Sequence, residues 1–230
     1  MEDRPEAAAV PRATSGVVVP CPLVKIFEEA LPPGAPVLVG AGDVDQDGSV
    51  ELVAVSGTEI RVFEFDGVTF RVLARRSLGV RVNALAVGSL GGAGGDVIAV
   101  GGQETILILQ VINGVLVTLA AAKLPGEKVV GLAIVDLDRD RAGELVAGTV
   151  TDRLSRLVLL ELVNPSTLRL DLVEVASRVL LGELRFLDAG VFDRDRVPGV
   201  AVVFLRADTF EFVLQVFRLT MEGIEPLTPP

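Results

Sequence analysis

One loop design recurs four times along this chain, and its spacing constrains the fold more than any other feature. Residues 39–55, 86–100, 133–148 and 188–203 each carry a short apolar run, a loop of acids or glycines, and a second apolar run. The ninth loop position falls at Glu51, Asp96, Glu144 and Gly199, which are 45, 48 and 55 residues apart. A four-stranded propeller blade takes about 40–50 residues. The spacing therefore predicts an all-β protein: a β-propeller-like array of about four four-stranded blades, with repeats at 37–83, 84–130, 131–184 and 185–227. An open sandwich or irregular stack of sheets is the competing arrangement.

The rest of each repeat reads as strands joined by tight turns. EIRVFEF (59–65) lies between Ser56-Gly57 and Asp66-Gly67, TILILQV precedes Asn113-Gly114, and RLVLLELV precedes Asn164-Pro165-Ser166. β-rich runs separated by such residues are the hairpin signal. Only residues 23–31 carry a hint of helical pattern. The last repeat ends weakly, with Pro226 in its final apolar run. Residues 17–27 are strand-forming and have no loop upstream, so they are expected to add a strand to the blade built from 185–227. Such closure would hide unpaired sheet edges. Residues 1–15 are expected to be a flexible tail ahead of one domain at 16–230.

The first loop has the chemistry of a hard-cation site. Asp43, Asp45 and Asp47 stand at positions one, three and five, Gly48 at six and Glu51 at nine. Alternating carboxylates converge when the chain curls, and glycine at six supplies a turn at positive φ. The carbonyl of Ser49 can add a backbone ligand, and calcium prefers six to eight such oxygens. An EF-hand would need an acid at position twelve, where Ala54 stands, and the flanks here read as strands. The third loop keeps Asp136, Asp138, Asp140 and Glu144, but Arg141 replaces the glycine and Arg139 lies between the acids. The second loop retains only Asp96 and the fourth only Asp193 and Asp195. An acidic surface turn without an ion is the plain alternative for each.

The pattern in 43–51 resembles the FG-GAP repeat, also described as VCBS or integrin-α-like, whose loops read DxDxDGxxD between the first two strands of a blade. The resemblance extends over roughly residues 37–227, with the strong motif match confined to 43–51. It implies calcium ligation through the side chains of Asp43, Asp45, Asp47 and Glu51 and the Ser49 carbonyl, with magnesium as the other candidate ion. Glu51 stands where Asp is commoner, a change of one methylene in reach. The resemblance also implies protein partners.

Composition narrows the function. The net charge is −10 over 230 residues, the wrong sign for a phosphate backbone or an anionic lipid surface. No apolar run approaches the ~20 residues of a membrane-spanning helix. The N-terminus lacks the basic and apolar regions of a signal peptide, so a cytoplasmic site is favoured over a cell-surface or secreted one. Cys21 is the single cysteine and histidine is absent, which removes His-based triads and His metal sites. The glycine run 88–96 lies between strands and reads as a degenerate cation loop, not a phosphate loop. No enzyme activity is expected. The expected function is a noncatalytic, cation-stabilised module for protein binding or scaffolding. A structural subunit of a homo-oligomer is the alternative, and a two-carboxylate glycosidase ranks below both, since Trp and Tyr are absent.

Overall fold

A computed structural model describes residues 27–31, 36–91, 93–140, 142–152, 154–166, 169–192, 197–206, 208–220 and 223–227. These residues form strands and turns and no helix. Residues 27–31, within the stretch with a hint of helical pattern, are neither helix nor strand. The first sheet is an antiparallel meander of β1 (Val37–Gly42), β2 (Glu51–Ser56), β3 (Glu59–Phe65) and β4 (Phe70–Ser77). The last is a second meander of β12 (Gly182–Val191), β13 (Pro198–Arg206), β14 (Phe212–Thr220) and β15 (Gly223–Pro226). Between them lies a seven-stranded sheet in chain order: β5 (Ala84–Ser89), β6 (Asp96–Gly101), β7 (Gln103–Ile112), β8 (Val115–Val135), β9 (Glu144–Val150), β10 (Ser155–Ser166) and β11 (Arg169–Leu180).

The seven-stranded sheet holds the second and third repeats, which share β8. The first part of β8 pairs with β7 (Val115–Lys123) and the last part with β9 (Lys128–Val135). The expected boundary at 130–131 thus falls inside a strand. Gly126, at φ 77, accommodates the change of partner, and its amide donates to the Glu104 carboxylate. A left-handed backbone here suits glycine, which has no Cβ to clash.

Strand periodicity explains the layering. Successive side chains point to opposite faces, so a strand that is apolar at every position is buried on both. In β6, Ile98 and Val100 join Val53, Val55, Ile60 and Val62 of the first sheet in one core cluster. Their neighbours Val97 and Ala99 join Leu145, Ala147, Val158 and Leu160 of the third repeat in another. In β10 the alternate residues Leu157 and Leu159 turn the other way, onto Val200, Val202, Phe204 and Phe217 of the last sheet. The apolar runs ILIL and LVLL are the signature of repeats covered on both sides.

The first strands of successive repeats also touch: β1 against β5, β5 against β8, and β8 against β12. Glycines make the approach. A Cβ on Gly40 would fall 2.6 Å from Val87 and one on Gly131 2.9 Å from the Leu187 Cβ, whereas one on Gly88 would meet Ile134 at an ordinary 3.6 Å. Gly131→Ala is therefore expected to lower stability by about 1–2 kcal/mol through overpacking, read as a shift in denaturation midpoint at unchanged m-value.

The two outer sheets each present an unshared face. On the first, Val37 and Val39 are exposed, while Phe27 lies edge-on to Phe63 at 5.3 Å and tilted on Phe70 at 5.7 Å. Arg61 of β3 fixes this entry by donating to Glu29 and to the Ala30 carbonyl. Residues 17–26, expected to close the last sheet, lie outside the described residues. The last sheet has its own fourth strand, because β15 pairs with β14 as far as Pro226. A proline tolerates a sheet edge, where its missing N–H breaks no ladder bond.

Candidate metal centre

The β1–β2 and β8–β9 connections fold alike at positions two, four, five and seven. At position two, the amide of Val44 donates to Glu51 Oε2 at 3.0 Å, and that of Leu137 to Glu144 Oε2 at 2.7 Å. At position five, the amides of Asp47 and Asp140 donate to Asp45 Oδ1 and Asp138 Oδ1. At seven, the amides of Ser49 and Ala142 donate to Asp47 Oδ1 and Asp140 Oδ1. Position four takes a left-handed backbone in both, Gln46 at φ 66 and Arg139 at φ 69. Side-chain carboxylates capture nearby amides in this way in Asx turns. The acids thus shape the loop as well as charge it.

The carboxylates converge. In the third loop, one oxygen each from Asp136, Asp138, Asp140 and Glu144 lies within 4.8 Å of the others. In the first loop the same holds for Asp43, Asp45 and Glu51. Asp47 lies outside that group, and its Oδ1 accepts from Ser49. These are partly buried acidic clusters of the size that could hold a metal ion. Gly48 takes φ 91, the turn expected at position six. Arg141, which stands in place of that glycine in the third loop, lies outside the described residues, as do Asp193 and Asp195 of the fourth loop.

Position nine is the buried floor of each cluster. Glu51 is 0% exposed and Glu144 3%. Oε1 of Glu51 is buried without a hydrogen-bond partner among the described residues, and so is Oδ1 of Asp43. A buried unpaired carboxylate oxygen costs roughly 1–3 kcal/mol or more, so it normally has a partner. Burial pushes Glu51 up from 4.5 to about 7, opposed by the Val44 amide and reinforced by Asp45, Asp47 and Asp43. Burial likewise pushes Glu144 up to about 7, opposed by the Leu137 amide and reinforced by Asp138, Asp136 and Asp140. Asp45 is raised for the same leading reason.

The sequence gives no sign of what Asp96 does. Its Oδ2 leaves its own loop and accepts the amide of Asp43, 3.1 Å away in the first. A second interior acid, Glu127, is equally unmarked in the sequence. Buried Glu127 on β8 accepts from the Thr149 hydroxyl and from Arg156, which also reaches Glu174. That network ties β8, β9, β10 and β11 together through pairs that satisfy one another, the usual condition for burying charge. No family model matches the chain, and no curated protein matches it either.

Proposed function

We propose that this chain is a noncatalytic binding or scaffolding module whose β1–β2 and β8–β9 loops are stiffened by calcium. Glu51 carries the reading: a fully buried glutamate, one oxygen unpaired, aimed into a cluster of acids. A divalent cation supplies the missing partner and offsets the repulsion among the carboxylates. An all-oxygen donor set suits calcium or magnesium over softer metals. The irregular, partly solvated arrangement favours calcium, since magnesium demands near-ideal octahedral geometry. The ligands are the converging Asp43, Asp45 and Glu51 in the first loop, with Asp47 and the Ser49 carbonyl added on the resemblance alone, and Asp136, Asp138, Asp140 and Glu144 in the third.

The blade arrangement belongs to this reading. Four consecutive meanders, stacked face to face with their first strands in contact, are what a propeller arc requires. The resemblance to FG-GAP repeats then suggests a protein partner. Native mass spectrometry with and without chelator tests the metal. Calcium-dependent mass steps for up to two ions are expected, and an unchanged mass at millimolar calcium would sink the proposal.

The structural-subunit reading draws on a different observation. Phe186, Val203 and Leu214 stand side by side across β12, β13 and β14, and Phe212 pairs with Leu205 beside them. Phe186, Leu214 and Phe212 are 58%, 68% and 70% exposed. A clustered apolar face on an outer sheet is a natural contact surface. A dimer that persists on dilution and is abolished by Leu214→Glu is expected if a second copy covers it. A monomer at all concentrations would leave a different protein as the partner.

A further inference from the structure

The glycine-rich second loop, which lacks a cation cluster of its own, is wedged between the two loops that have one. On one side Asp96 Oδ2 accepts the Asp43 amide at 3.1 Å. A Cβ on Gly95 would lie 2.8 Å from the Gln46 side chain, and one on Gly42 would lie 2.7 Å from Asp96 Oδ2. On the other side the Gly91 amide donates to the Gly143 carbonyl at 2.9 Å. A Cβ on Gly91 would lie 2.8 Å from that of Ala142, and one on Gly143 would strike the Ser89 carbonyl. The second loop is therefore in close contact with both neighbouring loops.

We infer that Asp96 is a positioning residue for the first cation site, contributed by the neighbouring repeat, and that through it the second loop links the first site to the third. The inference rests on the proposed cation binding. Asp43 opens the first cluster, and among the described residues Asp96 is the side chain that holds its backbone from outside that loop. With that bond made, the Asp43 carboxylate is presented toward Asp45 and Glu51 before an ion arrives, and preorganisation of this kind raises affinity without adding a ligand. An ion that fixes the first loop also fixes the surface on which the second rests, and the second bears on Gly143, beside the buried Glu144. Coupling between sites is reciprocal, so filling either loop should favour the other.

The test uses the full chain and calcium as the probe. The third site is silenced by Asp138→Asn with Asp140→Asn, in which the amide oxygen still accepts the loop's backbone bonds. Calorimetric titration is expected to show Asp96→Ala weakening the first site roughly tenfold, with Asp96→Asn, which keeps an acceptor, restoring most of that loss. Silencing the third site should weaken the first roughly fivefold in the wild-type background and have no effect in Asp96→Ala. Equal first-site affinity in wild type and Asp96→Ala, or equal losses for Ala and Asn, would overturn the positioning role. A third-site effect that survives Asp96→Ala would overturn the link. Amide exchange in chelator provides a readout that needs no ion. Asp96→Ala should speed exchange at Leu137 of the third loop as well as at Asp43, and Asp96→Asn should not. If wild type binds no calcium, the proposed function falls, and exchange at Leu137 alone decides whether the loops are linked.

Discussion

Calcium at a hundred times its dissociation constant should raise the melting temperature by ~5–11 °C for each site filled. The linkage relation gives about 2.7 kcal/mol at that concentration, and 1 kcal/mol moves a domain of this size by about 2–4 °C. Glu51→Gln should abolish the first loop's share. Glutamine still offers Val44 an acceptor, so the loop's local bond survives while the charge is lost. Without calcium, Glu51→Gln should match or exceed wild type in stability, because a buried unpaired carboxylate is removed. This pairing of a lost calcium response with an undiminished apo stability separates a ligand from a merely structural acid. A scan in chelator and in calcium, for both proteins, reads it. A wild-type melting temperature indifferent to calcium, or a Glu51→Gln apo protein markedly weaker than wild type, would contradict the assignment.

Without a cation, stability should fall as pH rises from about 4.5 to about 7. The sign follows from the two buried glutamates, whose folded-state values stand at about 7 against an ordinary 4.5. Below 4.5 both are protonated whether the chain is folded or not. Between 4.5 and 7 the folded protein binds protons that the unfolded chain has released, so unfolding gains with rising pH. A pKa unit corresponds to about 1.4 kcal/mol, so each glutamate can remove up to about 3 kcal/mol by neutral pH. Asp66, held below 3.8 by the amides of Thr69 and Val68, acts in the opposite sense but below this window. Denaturant titrations in chelator at pH 5 and pH 7.5 should show the drop. Calcium should flatten it, because the ion favours the ionised form, and the double variant Glu51→Gln, Glu144→Gln should remove it. A profile unchanged by the double variant would show that other acids set the pH response.

Much of this could be read from residue order. The alternation of apolar residues in EIRVFEF and the Asn113-Gly114 turn fix strands and hairpins through local geometry. The 45-to-55-residue recurrence marks where the β1–β2, β5–β6, β8–β9 and β12–β13 connections fall, and the carboxylate spacing in 43–51 marks the acidic loop. The sequence could also show that ILIL and LVLL are apolar throughout, hence covered on both sides, because side-chain alternation is a property of any strand. It could not show which surface covers them. That the second and third repeats share β8 was decided by the backbone conformation at Gly126, where Pro125-Gly126 looks in sequence like another turn. That positions four, Gln46 and Arg139, take the left-handed backbone was hidden because neither residue favours it; captured amides two residues apart impose it. Burial of Glu51 and Glu144 came from strands β2 and β9 entering the stack, which turns an exposed loop acid into the floor of a cluster. Asp96 is the clearest case. Alone in a run of glycines it reads as the remnant of a lost site. Only the packing of one repeat on the next brings its carboxylate to Asp43, because a contact across 53 residues leaves no periodic trace in the chain.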